Sequence, residues 1–427
     1  MTARELTLSL LMKGEKTKQY SNIVLDNALK NSELSSADRG LVSALFYGVI
    51  ERRITLDYQI KSLATRDISD IDEKTVNALR IGLYQLIYLD RIPPHAAINE
   101  SVSLCTRKSA GFANAILRSF LRRGGISLPE KSNTLEYLSV AYSIDIPLLS
   151  RLLSIFGRDE TEKLLTAINQ APPTTLRVNT LLTDRNTLIE KIPSSAPTKN
   201  APYGIFVQGS VRDIYGFDEG LFFVQDEASQ ICVEALGAKS GDVVMDICAC
   251  PGSKSFGAAI TMKNRGEIYS FDLHENKLSL VINGAERLKI DIIQTSDCDG
   301  RHFLPTFEKA ADRIICDVPC SGFGVLAKKP ELRYKNPEES AALPKIQRDI
   351  LNNACKYLKS GGTLIYSTCT ILPEENEKNI EDFLASHPDF YLEEWQVGDI
   401  VAKGGMITLL PHIHKTDGFF IAKLKRK

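Results

Sequence analysis

Cys320 and Cys369 each stand where an apolar run gives way to a polar turn, and a cysteine thiolate is an effective protein nucleophile. The first lies in Asp317-Val318-Pro319-Cys320-Ser321-Gly322, after Arg313-Ile314-Ile315-Cys316. The second closes Tyr366-Ser367-Thr368-Cys369, after Thr363-Leu364-Ile365. Both runs read as buried parallel strands, and ligands of an open α/β sheet sit outside the carboxyl ends of its strands. The two thiols are therefore expected to face one cleft. A third run, Val243 to Cys248, opens into Ala249-Cys250-Pro251-Gly252-Ser253-Lys254 and then a helix. That is a nucleotide-type loop feeding the same cleft. Gly252 permits close backbone approach, and the helix start offers N–H groups to an anion. Lys254 is placed to add a charge-assisted contact. Asp272 ends the next strand, where an acid can accept from ribose hydroxyls. The chemistry implied is covalent catalysis on a carbon that is otherwise a poor nucleophile.

The elements that position these groups follow from hydrophobic periodicity. From residue 236 strand and helix alternate, the pattern of a doubly wound parallel sheet. Strands are predicted near 243–248, 268–272, 292–296, 313–318 and 363–368. Residues 406–410 and 418–422 are predicted to form an antiparallel hairpin on the sheet edge. Residues 3 to 125 are predicted helical throughout: Leu41, Leu45 and Val49 repeat at helical spacing, as do Leu79, Leu83, Leu86 and Ile87. Ser35 or Ser36 is placed to cap a helix near Asp38. Residues 126–235 form a mixed connector, in which Leu176-Arg177-Val178-Asn179-Thr180 reads as a short strand with a polar tip.

Composition narrows the class. Hydrophobic content of 43% and charge of 25% over 427 residues suit a soluble protein of two or three domains. No apolar run reaches the roughly 18 residues of a membrane span. The N-terminus, with Glu5, Lys13, Glu15 and Lys16 around a Leu-rich stretch, reads as an amphipathic helix and not a secretory signal. Nine cysteines, an odd number, argue against a disulfide framework and for a reducing cytoplasm. Net charge is -1, but residues 1–140 hold 19 basic against 15 acidic side chains, and the remainder 33 against 38. That asymmetry fits a substrate-gripping front and a catalytic rear. No metal is expected, since Cys248-x-Cys250 and Cys316-x3-Cys320 lack the paired knuckles of a strong site. A dinucleotide-dependent dehydrogenase would need Gly-x-Gly-x-x-Gly after the first strand, and none is present.

The three motifs, in this order and spacing, resemble the RNA (cytosine-5) methyltransferases that use S-adenosylmethionine. The loop is similar to that family's Cys-Ala-Ala-Pro-Gly-Gly-Lys; Cys250 and Ser253 replace the second Ala and second Gly, and Ser253 is expected to weaken cofactor contact. The Thr-Cys motif with Leu372-Pro373-Glu374-Glu375-Asn376-Glu377 resembles the RNA branch, whereas DNA enzymes place the nucleophile in the Pro-Cys motif. The N-terminal part is similar to a NusB-like RNA-binding domain through Phe46-Tyr47-Gly48, Asp57, Leu83-Tyr84-Gln85-Leu86, Ile98-Asn99-Glu100 and Asn114-Ala115-Ile116-Leu117-Arg118.

The resemblance implies three domains: 1–125 NusB-like, 126–235 an RNA-binding pre-catalytic connector, and 236–427 a Rossmann-like S-adenosylmethionine-dependent catalytic domain. It implies Cys369 as nucleophile, Cys320 for product release, and Asp317 contacting both the base and the cofactor site. Residues Cys248, Ala249, Cys250, Pro251, Gly252, Ser253 and Lys254, with Asp272, are expected to hold the cofactor. An acid after the third strand should border the adenine; Asp299 is favoured over Asp297. Cys369 is expected just before a helix starting near Pro373, whose N-terminus would favour a thiolate. RNA contact is expected at Lys328, Lys329, Arg333 and Lys335, where basic charge flanks Tyr334, and at Arg177 and Asn179 of the connector. The expected substrate is 16S rRNA, of the cytosine 967 type, handled by a monomer in the cytoplasm without metal or membrane. The alternatives are another rRNA or tRNA position, or a non-catalytic ribosome-assembly factor.

Overall fold

The computed structural model describes residues 1–14, 21–208 and 211–427, which divide into two compact units. Glu15 and Lys16, assigned above to the first helix, lie outside the described residues. One unit comprises residues 1–169 together with 326–337; the other comprises 170–325 together with 338–427.

The first unit is helical: α1 (Ala3–Gly14), α2 (Ser21–Lys30), α3 (Ser36–Glu51), α4 (Arg53–Leu63), α5 (Glu73–Tyr88), α6 (Pro94–Ser103), α7 (Ala110–Arg123), α8 (Thr134–Tyr142) and α9 (Ile146–Ile168). Ser35 caps α3 by accepting from Asp38 N, and Asp72 caps α5 by accepting from Thr75 N at 3.0 Å. The apolar faces meet in a core around Leu45, Phe46, Leu56, Ile60, Leu79 and Leu117, all buried. Arg80 pairs bidentately with Asp57 at 2.7 and 2.8 Å.

Residues 326–337 belong to this helical unit although they follow the Pro-Cys motif in sequence. Arg333 is 0% exposed. Its guanidinium donates to Ile168 O at 2.8 Å, to Tyr142 O at 3.3 Å and to Asn169 Oδ1. It thus takes up carbonyls that the last turns of α8 and α9 leave without helical partners. Tyr334 sits beneath Arg53, with the guanidinium carbon 3.8 Å from the ring centre, and its hydroxyl accepts from Arg53 N. The expectation of RNA contact at Arg333 is therefore corrected: its donors are used inside the protein. Lys328, Lys329 and Lys335 are half-buried.

In the second unit, β1 (Thr174–Val178), β2 (Ala196–Pro197), β3 (Gly204–Val207) and β4 (Phe222–Val224) form an antiparallel sheet of order β2-β3-β1-β4. Arg177 and Asn179 do not reach solvent from it. Arg177 is fully buried and bonds Glu234 at 2.6 Å and Thr261 Oγ at 3.1 Å. Asn179 donates to Gly220 O and Leu288 O. Both tie this sheet to the neighbouring helices, so the expected RNA contacts there are also corrected.

The main sheet contains β5 (Val243–Asp246), β6 (Glu267–Asp272), β7 (Ile293–Asp297), β8 (Ala311–Asp317), β9 (Leu358–Thr368) and β10 (Phe390–Leu392). After the small pair β11 (Trp395–Val397) and β12 (Ile400–Ala402), β13 (Met406–Leu409) and β14 (Phe419–Arg426) complete it. The order is β10-β14-β9-β8-β5-β6-β7, with β13 paired to β14. Strands β9, β8, β5, β6 and β7 run parallel. The final hairpin is antiparallel as expected, but β14 lies inside the sheet, between β9 and β10, and not at its edge. Strand order reverses between β5 and β8, and their carboxyl ends open the cleft predicted for ligands.

Candidate active site

The loop after β5 leads into α10 (Ser253–Thr261), whose N-cap is Gly252 at φ 106° with no side-chain cap. An added Cβ at Gly252 would lie 2.6 Å from Phe256 Cζ, so this turn requires glycine. Ser253 is the first helical residue and is absent from the positive-φ positions, so the backbone reason for a glycine there does not apply. Asp272, at the end of β6, accepts from Cys250 N at 3.1 Å and from His274 N at 3.0 Å. Burial first, then the adjacent Asp272, push the Cys250 thiol up to about 12. Ala249 N donates to Phe271 O at 2.8 Å, which fixes the loop against β6.

Asp272 and Asp297 are register partners at the ends of β6 and β7. Asp297 is exposed; Asp299 is held by Arg301 Nε at 2.9 Å. Hydrogen bonding from Arg301 draws the Asp299 carboxyl down to about 2. An uncapped helix start, a glycine at positive φ turning the loop into it, and acids at two strand ends suit an amino acid joined to a ribose and an adenine. The residues present therefore fit S-adenosylmethionine.

Across the switch point, Lys254 Nζ lies 2.6 Å from Asp317 Oδ2, and Ser367 Oγ donates to Asp317 Oδ1 at 2.7 Å. Asp317 is thus an acceptor on both oxygens. Behind it, Ser255 Oγ donates to the buried Asp246 at 2.7 Å and lies 2.8 Å from Ser270 Oγ. Burial pushes the Asp246 carboxyl up to about 7. Cys232, Cys316 and Cys355 are buried thiols raised by burial, as befits packing residues.

Cys320 and Cys369 meet with their sulfurs 3.0 Å apart, and all nine cysteines are free. The hydrogen bond with Cys369, followed by burial, pushes the Cys320 thiol well above its ordinary value. Gly324 keeps the two loops close: its N–H donates to Cys369 O at 2.9 Å, and a Cβ there would lie 2.8 Å from that oxygen and collide with Gly418 O. The helix expected near Pro373, α11, instead spans Glu377–Ser386. The intervening turn serves as a clamp, with Glu375 and Asn376 buried beneath the two thiols' loops. In sequence those two residues show only as part of a family motif; neither periodicity nor charge marks them as partners of distant loops.

Sheet order, cofactor-type loop and paired strand-end thiols define a methyltransferase body. The family description "16S rRNA methyltransferase RsmB/F" matches residues 233–425, "NusB family" matches 1–122, and a ferredoxin-like domain of RsmF/B-like methyltransferases matches 148–212. The chain is 36% identical to a probable ribosomal RNA small subunit methyltransferase B of Bacillus subtilis, covering 100% of this chain and 99% of that one. It is 34% identical to the probable enzyme of the same description from Synechocystis sp., with 100% of each covered. The crystal structure of PH0851 superposes with a TM-score of 0.82 at 27% identity, over 100% of this chain and 99% of that one. The chain belongs to the RsmB/F family of 16S rRNA methyltransferases, and is an RNA methyltransferase with a NusB-type domain.

Proposed function

We propose that this protein methylates C5 of a cytosine in small-subunit rRNA, with Cys369 as covalent nucleophile. The observation that carries the reading is the pair of thiols, 3.0 Å apart, at the carboxyl ends of adjacent parallel strands beside the cofactor-type loop. Cytosine C5 is a poor nucleophile while the ring is aromatic. The Cys369 thiolate adds to C6, forming an S–C6 bond and pushing the ring electrons toward C5. Bound S-adenosylmethionine supplies the electrophilic methyl group that C5 takes. Loss of the C5 proton to a base then returns electrons to the ring, and the S–C6 bond breaks to release the Cys369 thiolate. Cys320, in contact with that sulfur, is placed to assist release.

Asp317 is positioned to accept from the cytosine N4 amino group, held in place by Lys254 and Ser367. The base must leave its stack or loop to reach this cleft. Residues 248–254 and Asp272 would hold the cofactor, with Asp317 beside it and Asp297 or Asp299 bordering its adenine. The type of enzyme suggests cytosine 967 of 16S rRNA as target, in the cytoplasm. Bisulfite sequencing of total RNA with and without the gene tests this directly. Loss of one protected cytosine in 16S rRNA is expected; an unchanged set of protected cytosines would overturn the reading.

A further inference from the structure

We infer that the adjacent residues Glu375 and Asn376 are a positioning pair, each holding the loop of one thiol by both of that thiol's chain neighbours. The inference rests on the proposed two-thiol chemistry and assigns the residues that set its geometry.

Glu375 serves Cys320. Its carboxylate accepts from Ser321 N at 3.0 Å and from Ser321 Oγ, directly after the thiol. The same carboxylate accepts from Gln347 Nε2 at 2.8 Å, and that amide also donates to Pro319 O at 2.9 Å, directly before the thiol. Gln347 is in turn fixed by Asn379, which donates to its Oε1 at 2.9 Å. Asn376 serves Cys369. Its Oδ1 accepts from Thr368 Oγ at 2.6 Å, and its Nδ2 donates to Thr370 O at 3.0 Å. The two clamps touch where Ser321 Oγ lies 2.8 Å from Thr370 Oγ. Each of these side chains is 2% exposed or less.

A buried carboxylate whose donors are all neutral is costly unless its hydrogen bonds are complete. Placing one here is explained by what it organises: two loops from separate strands whose sulfurs must stay in contact. Glutamine at 375 would set an amide donor against the donors of Ser321 and Gln347. Aspartate at 376 would keep the Thr368 bond and lose the donor to Thr370 O. The first change loosens Cys320, the second Cys369, and the proposed roles make their consequences differ.

The test measures covalent protein–RNA adduct on denaturing gels, single-turnover methyl transfer, S-adenosylmethionine affinity and thermal unfolding of the full-length protein. Glu375→Gln is expected to accumulate adduct above wild type, with release slowed on the order of tenfold to a hundredfold. Ser321→Ala, a milder cut at the same clamp, should show the same direction and serves if Glu375→Gln does not fold. Asn376→Asp is expected to slow adduct formation on the same scale without accumulation. All three should bind cofactor within about twofold of wild type, as the cofactor loop lies apart from both clamps. Cys320→Ala is the reference. If it traps no adduct, the two-thiol reading fails and the positioning pair with it. If it traps adduct while Glu375→Gln and Ser321→Ala stay at wild-type levels, or if every variant merely unfolds earlier with cofactor affinity lost in parallel, the positioning role alone is overturned.

Discussion

Lys254, in the first turn of α10, and Asp317, at the end of β8, form an ion pair of 2.6 Å that joins the cofactor loop to the Pro-Cys loop. Burial, the largest single influence, pushes the Lys254 ammonium down; Asp317, Cys232 and Asp246 together outweigh it, and the net direction is up. A lysine raised in the folded state contributes stability that is fully present below its unfolded value, roughly 10.4, and lost only above it. The Lys254 ammonium therefore keeps its charge throughout neutral pH. Lys254→Met should strand a partly buried carboxylate and cost about 2 kcal/mol, a value reduced because Asp317 retains some solvent contact. Asp317→Asn should cost a similar amount, and the double variant less than the sum. Urea unfolding of the three variants measures this cycle; strict additivity would show that the contact carries no coupling.

Cys369→Ala should abolish methyl transfer with cofactor binding nearly intact, because its sulfur is the proposed attacking atom and the cofactor loop stands on other strands. Tritium transfer from labelled cofactor to a cytosine-containing RNA checks it, and substantial turnover would remove Cys369 from the mechanism. Cys320→Ala should instead trap an adduct that survives denaturing electrophoresis, and the double variant should not. Identical adducts from both single variants would show the roles to be wrongly divided.

Asp246 yields a pH prediction. Its carboxyl is raised from 3.8 to about 7, chiefly by burial and against the opposing hydrogen bond from Ser255. A raised acid contributes stability that is fully present below its unfolded value and lost as pH rises through the folded one. The wild-type protein should therefore lose about 2 to 3 kcal/mol from this group between pH 5 and pH 8. Asp246→Asn cannot titrate, so its stability relative to wild type should climb over that interval and then level. Denaturant unfolding at pH 5, 6, 7 and 8 reads the difference. A constant offset would mean that Asp246 keeps one charge state throughout.

The parallel strands and the helices of residues 1–123 were legible because burial leaves a period in the sequence: continuous apolar runs for β5, β8 and β9, and three-to-four spacing for α3 and α5. The motif loops were legible because Pro-Cys, Thr-Cys and the Gly252 turn are local. Arg177, Asn179 and Arg333 were misread because a basic or amide side chain looks the same in sequence whether it faces water or a buried carbonyl. The acceptors of Arg333 lie at Tyr142, Ile168 and Asn169, far upstream. The place of β14 was missed for a related reason. A hairpin is a local pattern, whereas insertion between β9 and β10 depends on edges made by other segments.

Arg333 and Lys329 separate a structural cation from a candidate RNA contact. Arg333 is wholly enclosed, and removing it would leave the carbonyls of Tyr142 and Ile168 without that donor. Arg333→Met should therefore lower stability by about 1 to 3 kcal/mol, the range for leaving a buried polar group unpaired. The slope of RNA affinity against salt should not change, because no phosphate contact is lost. Lys329 is half-buried on the same segment, and Lys329→Ala should reduce that slope by about 1. A chain lacking residues 1–125 would be a poor substitute for this comparison. It removes Ile50 and Arg53, which hydrogen-bond the hydroxyl of Tyr334, and so disturbs the segment under test. Filter binding of 16S rRNA fragments from 50 to 300 mM salt, alongside urea unfolding, distinguishes the two residues. A flattened slope for Arg333→Met with unchanged stability would place its guanidinium on RNA after all.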